Sequence, residues 1–184
     1  MNIGITNDHR GLEVKQFLTE YLNELGYNVI DYGTDTEGEI RRNFMSWHGD
    51  GYRTTLIKTA QYQLGEEYVN KLKEAFDSNW LDVYEKENKM GGAYSLGVHT
   101  SHPFVLLNFI NSSRDVSTIA HELGHSMHSF YASKNQNIIN ANYTIMVAEV
   151  ASTVNEILLA NYLIKKETDS NKKAALINEQ LDMI

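Results

Sequence analysis

The segment His121-Glu122-Leu123-Gly124-His125 constrains this chain more than any other feature of its sequence. On an α-helix, residues at i and i+4 share one face about one turn apart, so both imidazoles can reach a single metal ion. Glu122 lies roughly 100° around the helix from His121, where its carboxylate can reach a metal-bound water without binding the metal. The segment therefore predicts a zinc site in which Glu122 is the general base that activates water for attack on a peptide carbonyl.

Two histidines leave a catalytic zinc one protein ligand short, and Glu149 is the predicted third ligand. Apolar residues surround it at positions 145–159, and this composition predicts a helix that is buried on most of its circumference. A carboxylate in such a helix is costly unless it contacts a cation or a hydrogen-bond donor. Glu156, two turns along the same face, is predicted to hydrogen-bond a ligating histidine, with a solvated surface glutamate as the alternative.

His128 competes with Glu149 for the third ligand position, because His121, His125 and His128 share one face of the same helix. A helix rises about 1.5 Å per residue, so His121 and His128 stand about 10 Å apart, too far for one zinc at about 2 Å from each nitrogen. We therefore predict that His128 supports the ligands or the helix without binding zinc. A chance match in a partly buried polar stripe is the competing interpretation of the whole motif.

Beyond this motif, a long stretch of the chain resembles the M3 family of zinc metallopeptidases, specifically the oligoendopeptidase F type. The matching segments occur in the order of that family at residues 64–68, 80–85, 92–95, 102–108, 121–129 and 148–156. The resemblance implies one zinc ion held by His121, His125 and Glu149, with Glu122 as the base. It also implies a mostly α-helical, zincin-like catalytic fragment with a small β-sheet, which hydrolyses peptide bonds of oligopeptides.

The sequence just before the motif predicts two short strands, at residues 92–100 and 104–109. Peptidases of the resembling type use an exposed strand beside the motif helix to hold substrate backbone in extended form, and the resemblance implies that role here. An ordinary hairpin that flanks a helix is the alternative. Apolar residues at helical spacing predict that the motif helix begins near residues 113–115 and ends near Phe130.

The first 36 residues predict a separate β-α-β half-unit. A strand at residues 3–5, an amphipathic helix that Gly26 ends and a strand at residues 28–32 follow one another. This unit resembles the start of the RpiB/LacAB sugar-phosphate isomerases, and Asp8 and His9 match substrate-loop positions of that family. The glycine-rich loop and the thiol of that family have no counterpart, and a half-unit alone cannot form the sugar-phosphate pocket. Isomerase activity is therefore an alternative function.

The two resemblances divide the chain into three predicted parts. These are an isomerase-like remnant at 1–36, a junction of unclear origin at 37–63, and a partial M3 catalytic domain at 64–184. The resembling family is several times longer and carries oxyanion-stabilising donors downstream of its second zinc helix. We therefore expect a truncated enzyme of reduced activity, and a catalytically inactive zinc-binding or structural fragment is a further alternative.

Composition narrows the classes of partner. The 184 residues contain no cysteine, which excludes disulfides and leaves histidines and carboxylates as metal ligands. A formal net charge of -8 argues against binding to nucleic acids or anionic membranes, and no uninterrupted apolar run is long enough to span a bilayer. Without a signal-peptide pattern, a cytoplasmic location is expected. Apolar surface left uncovered in a partial domain would promote self-association.

Overall fold

The computed structural model describes residues 2–5, 12–31, 51–110 and 113–181. Its strands are β1 (Asn2–Ile5), β2 (Asn28–Asp31), β3 (Leu81–Tyr84), β4 (Tyr94–Leu96) and β5 (Phe104–Phe109). Its helices are α1 (Leu12–Glu24), α2 (Gly51–Gln63), α3 (Glu66–Asp77), α4 (Ser113–Asn135), α5 (Ile145–Lys166) and α6 (Ser170–Leu181). The predicted fold class, mostly helical with a small sheet and a preceding β-α-β unit, is confirmed.

Helix α4 carries the histidine motif through the middle of the hydrophobic core. Its apolar residues at helical spacing are all buried, as the sequence predicts: Val116, Ile119, Ala120, Leu123 and Met127. The core continues into α2, α3, α5, α6 and strands β3 and β5. Helix α4 ends at Asn135, beyond the predicted end near Phe130, because no glycine or proline interrupts it there.

Strand β5 is the central strand of the sheet that packs against α4. It runs parallel to β3 and antiparallel to β4, so β4 forms one edge. Its alternate residues Val105, Leu107 and Phe109 are buried, as expected for a strand with one face on a core. The predicted bounds of β5 are confirmed, whereas β4 is shorter than predicted, with only Tyr94–Leu96 paired.

Helices α4 and α5 approach each other closely at Gly124. A Cβ atom at this position would lie 2.6 Å from Cα of Ser152 and 2.7 Å from the carbonyl oxygen of Ala151. These separations are far below ordinary van der Waals contact, so the helix pair requires a glycine here. The glycine within the motif therefore sets how near α5 comes to the two histidines.

The prediction that α5 is buried on most of its circumference is wrong. Residues such as Ile145, Met146 and Val150 are 74%, 77% and 59% exposed, whereas the buried residues on the opposite side face α2, α4 and α6. Apolar composition predicts that a helix face is buried, but it does not reveal which element packs on that face. By length and composition alone, α5 could also cross a membrane. Helices in the core of a folded domain often meet the same two criteria.

The N-terminal residues form the predicted β-α-β unit. Strands β1 and β2 pair in parallel, with Ile3 opposite Val29, and α1 packs on β2. Asp8, His9 and residues 32–50 lie outside the described residues. Residues 51–63, which the sequence assigns to the junction, form α2, and this helix buries Leu56 and Ala60 in the core beside α3 and α5.

We expect Gly124→Ala to lower the free energy of unfolding by about 1–3 kcal/mol, because the added methyl group must push α4 and α5 apart. This loss would oppose the helix propensity of alanine, which favours alanine over glycine by about 1 kcal/mol. Urea denaturation measures the difference. Gly91→Ala is the matched control, because a Cβ atom there meets no atom within 4 Å. A variant at position 124 that is as stable as the wild type would contradict the close approach.

Candidate metal centre

Three predicted ligands from two helices meet at one point. Nε2 of His121 and Nε2 of His125 lie 3.1 Å apart, and Oε2 of Glu149 lies 3.5 Å from the first and 3.7 Å from the second. A tetrahedral zinc ion with ligands at about 2.0–2.1 Å requires ligand atoms about 3.3 Å apart. The triangle therefore fits one zinc ion, and within the described ranges it is the one such group of histidines and carboxylates.

The side chains of the three predicted ligands are partly exposed to solvent. The side chains of His121 and His125 are 27% and 16% exposed, and that of Glu149 is 46% exposed. Burial and the nearby His121 lower the pKa of His125. A lowered pKa favours the neutral imidazole, which is the form that binds metal.

Glu156 orients His121. Its Oε2 lies 3.2 Å from Nδ1 of His121, and its Oε1 accepts a hydrogen bond from Oγ of Ser117 at 3.2 Å. The hydrogen bond between Nδ1 of His121 and Glu156, together with the charge of Glu156, raises the pKa of His121, whereas burial lowers it. With Nδ1–H donating to Glu156, the Nε2 lone pair faces the other two ligands, an arrangement typical of metal-binding histidines.

Glu149 is oriented by a serine one turn along α5. Oγ of Ser152 lies 2.9 Å from Oε2 of Glu149 and 3.0 Å from the carbonyl oxygen of the same residue. Ser152 is fully buried against Gly124, so the serine that fixes the carboxylate also lies at the helix–helix contact. Sequence reasoning did not single out Ser152, although its spacing of three from Glu149 on one helix face is a usable signal.

Glu122 lies in the core side of α4, and its side chain is among the few buried charged groups. Burial raises the pKa of its carboxyl group, His121 opposes this effect, and the charges of Glu149 and Glu156 add to it. A carboxylate with a raised pKa holds a proton more readily near neutral pH, which suits a general base.

His128 does not join the ligand group. Its ring stacks on Tyr143, with the ring centroids 4.0 Å apart, and burial lowers its pKa. Oγ of the next residue, Ser129, hydrogen-bonds the hydroxyl group of the same tyrosine. These contacts fasten the segment between α4 and α5 to the motif helix, and they leave Nδ1 of His128 without a hydrogen-bond partner among the described residues.

A family model described as peptidase family M3 matches residues 51–184, which is most of the chain. The chain belongs to peptidase family M3. A second model, described as ribose/galactose isomerase, matches residues 3–46. The M3 match begins ahead of the predicted boundary at residue 64 and includes all of α2. The division at 1–36, 37–63 and 64–184 stays a prediction.

Curated relatives agree with the family. The chain is 37% identical over 183 residues to an oligoendopeptidase F homolog of Borreliella burgdorferi, an alignment that covers 98% of this chain and 30% of the relative. It is also 44% identical to oligopeptidase PepF of Bacillus subtilis, in an alignment of 119 residues that covers 65% of this chain and 18% of the relative. The chain thus spans 18% and 30% of the lengths of these two relatives.

Solved structures show the same architecture. A crystal structure from Chlamydophila abortus, assigned as a peptidase, superposes with a TM-score of 0.69 at 41% identity, over 72% of this chain and 22% of that chain. A structure from Bacillus anthracis, assigned as an oligoendopeptidase F, superposes over 91% of this chain and 33% of its own, with a TM-score of 0.55. At 17% identity, this second likeness shows the fold alone.

We expect the pH dependence of zinc binding to respond to Glu156→Gln. Zinc must replace the proton on Nε2 of His121, so affinity falls as the pH drops through the raised pKa of this residue. Removing the carboxylate lowers that pKa. The midpoint of the affinity loss should therefore move to lower pH, while affinity at neutral pH weakens by about tenfold because the histidine loses its orienting partner.

Competition with a chromophoric chelator, from about pH 5.5 to about pH 8, measures this midpoint. Glu85→Gln is the control, because it removes one exposed carboxylate elsewhere on the chain. An unshifted midpoint in Glu156→Gln would show that Glu156 does not set the protonation of His121.

Proposed function

We propose that this chain is a zinc-dependent metallopeptidase that hydrolyses peptide bonds of oligopeptides. The observation that carries the proposal is the triangle of ligand atoms from His121, His125 and Glu149, with edges of 3.1, 3.5 and 3.7 Å. Membership of peptidase family M3 and similarity to oligopeptidases support the same chemistry. Zinc, when bound, supplies Lewis-acid chemistry that polarises the scissile carbonyl group and acidifies water.

Neighbouring side chains orient two of the three proposed ligands, His121 and Glu149. Glu156 accepts the Nδ1 proton of His121, and Ser117 donates to Glu156 in turn. Ser152 donates to the carboxylate of Glu149. His121 and Glu149 therefore each have an orienting hydrogen bond, which reduces the entropy lost when a metal binds.

Glu122 is the proposed general base. It accepts a proton from the attacking water and delivers this proton to the amide nitrogen that leaves with the new amino terminus. Its burial favours the protonated form between these two transfers, because the raised pKa keeps the proton on the carboxyl group. Glu122 follows the proposed ligand His121 in the chain and is not part of the group of three candidate ligands.

Strand β4 is the proposed support for the substrate backbone. It forms an edge of the sheet beside α4, and an extended peptide can add to such an edge through main-chain hydrogen bonds. The strand is fastened to the motif helix by Ser95, whose Oγ lies 2.8 Å from Oγ of Ser126. Gly97 also packs closely on Ser129, where a Cβ atom would lie 2.6 Å from Oγ.

A zinc-binding chain without catalytic activity is the second candidate. The chain spans 18% and 30% of the lengths of two oligopeptidase relatives, and much of one face of α5 is exposed next to Glu149. Groups that complete the site in a longer relative would then decide whether bound zinc turns over a peptide. Asp8 and His9, on which the isomerase alternative depends, lie outside the described residues, so this alternative stays a prediction.

We expect about one zinc ion per chain after metal stripping, reloading and gel filtration, because the site offers a single tetrahedral ligand set. Elemental analysis measures the ratio. Glu149→Ala should bind zinc much more weakly, because two histidines from one helix remain. Protein that retains no zinc after reloading would refute zinc dependence, and a ratio unaffected by Glu149→Ala would refute the role of this carboxylate.

We expect Glu122→Gln to keep its zinc and to lose cleavage of a quenched fluorescent oligopeptide by at least about 100-fold, because the amide cannot accept the proton of water. Glu87→Gln, in an exposed loop, is the charge-matched control. Wild-type protein that binds zinc but cleaves no peptide would support the inactive zinc-binding candidate. Cleavage that persists in Glu122→Gln would contradict the role of Glu122 as the base.

A further inference from the structure

Asn155 of α5 forms a hydrogen bond between helices next to the first histidine. Its Nδ2 donates to the carbonyl oxygen of Ala120 at 3.1 Å. The same side chain contacts the hydroxyl group of Tyr68 on α3, which lies 2.9 Å from Nδ2 and 3.2 Å from Oδ1. One amide group therefore links α5 to α4 and α3, and the contact on α4 directly precedes the metal ligand His121.

The metal site needs this kind of link because one ligand comes from a different helix. Apolar contacts between helices are non-directional, and Gly124 presents no side chain that would stop α5 from sliding along α4. A slide by one residue would move Glu149 by about 1.5 Å. Zinc ligands tolerate displacements of only about 0.2 Å, so a directional contact must fix the axial position of α5.

The Glu156 hydrogen bonds are a poor anchor for this purpose. The same carboxylate contacts Ser117 and the proposed ligand His121, so removing it would disturb a ligand directly whatever the register of α5. The bond from Asn155 ends on a backbone carbonyl group, which does not titrate. Its other partner is equally inert near neutral pH, because burial raises the pKa of Tyr68 to about 12.

The orientation of the amide is also determined by its partners. A carbonyl oxygen can accept a hydrogen bond only from Nδ2, so the contact with Ala120 fixes which end of the Asn155 amide faces α4. Tyr68 can then donate to Oδ1 while it accepts from Nδ2. Tyr68 is half-buried and packs against the hydrophobic core, so its hydroxyl group holds the amide from α3.

We propose that Asn155, held by Tyr68, is a positioning residue that sets the axial register of α5 on α4 and so places the Glu149 carboxylate at the metal site. This inference rests on the proposed zinc function. Asn155 does not contact the metal position. It acts through Glu149, which lies six residues earlier on the same helix.

The test compares zinc affinities of purified variants of the 184-residue chain by competition with a chromophoric chelator. Asn155→Ala should weaken zinc binding by at least about tenfold, and Tyr68→Phe, which removes one hydroxyl group, by about threefold. In a Glu149→Ala background, Asn155→Ala should cost less than about twofold, because there is no longer a carboxylate to place. This double-mutant cycle separates positioning of Glu149 from general damage to the helices.

Gln63→Ala is the matched control. Nε2 of Gln63 donates to the carbonyl oxygen of Leu158 at 3.1 Å, so it is also a side-chain link from a neighbouring helix to α5, but it lies away from the ligands. Zinc affinity should change by less than about twofold in this variant. If Asn155→Ala fails to fold, Tyr68→Phe carries the same cycle with Glu149→Ala.

Cobalt provides a spectroscopic readout that a purely structural role would not change. Cobalt-loaded wild-type protein should show the visible absorption of a site with three protein ligands. Asn155→Ala should shift this spectrum toward that of Glu149→Ala, whereas Gln63→Ala should leave it unchanged.

Three results would overturn the inference. Zinc affinity in Asn155→Ala that equals that of Gln63→Ala would remove the special role of Asn155. A loss that persists at full size in the Glu149→Ala background would show that Asn155 does not act through the carboxylate. Both results leave the zinc proposal intact if wild-type protein binds the metal. Wild-type protein that binds no zinc would instead overturn the proposed function and this inference together.

Discussion

The short distance between α4 and α5 at Gly124 is the constraint on which the candidate metal centre depends. Two candidate ligands come from α4 and one from α5, so their three side-chain atoms converge only while the helices stay close. Backbone-to-backbone contact at Gly124 and Ser152 provides this closeness. Ser152 then serves two needs at once, because the small buried side chain that permits the contact also orients Glu149. Packing and ligand geometry are therefore coupled at the same residue.

The two sides of helix α5 have different environments. One side is buried against α2, α4 and α6, and much of the other side consists of exposed apolar residues. Glu149 lies near the boundary between these two faces, with its side chain about half exposed. Whatever covers the apolar face in a longer relative would also change the dielectric environment of this carboxylate. The environment of the candidate metal centre therefore depends on whether this apolar face is covered.

Local patterns made much of this structure predictable. The spacing of His121 and His125, the apolar spacing of α4 and the alternation in β5 each depend on one element, so the sequence indicates them directly. The contacts of Ser117 with Glu156 and of Asn155 with Ala120 join residues 39 and 35 positions apart, and they depend on how two helices align. No periodicity encodes that alignment. The prediction that α5 is buried on most of its circumference was wrong for the same reason, because composition does not reveal which neighbour covers a face.

The two helices that carry the candidate ligands are close neighbours in sequence as well as in space. Residue numbers 125 and 149 differ by 24, so the segment that must close to unite the ligands is short. Loop-closure entropy rises only with the logarithm of loop length, and contacts between sequence neighbours form early in folding. We therefore expect the α4–α5 hairpin to assemble before the sheet and α3 complete the core. A metal held by His121, His125 and Glu149 would cross-link two helices that are neighbours in sequence, and would so stabilise the contact between them.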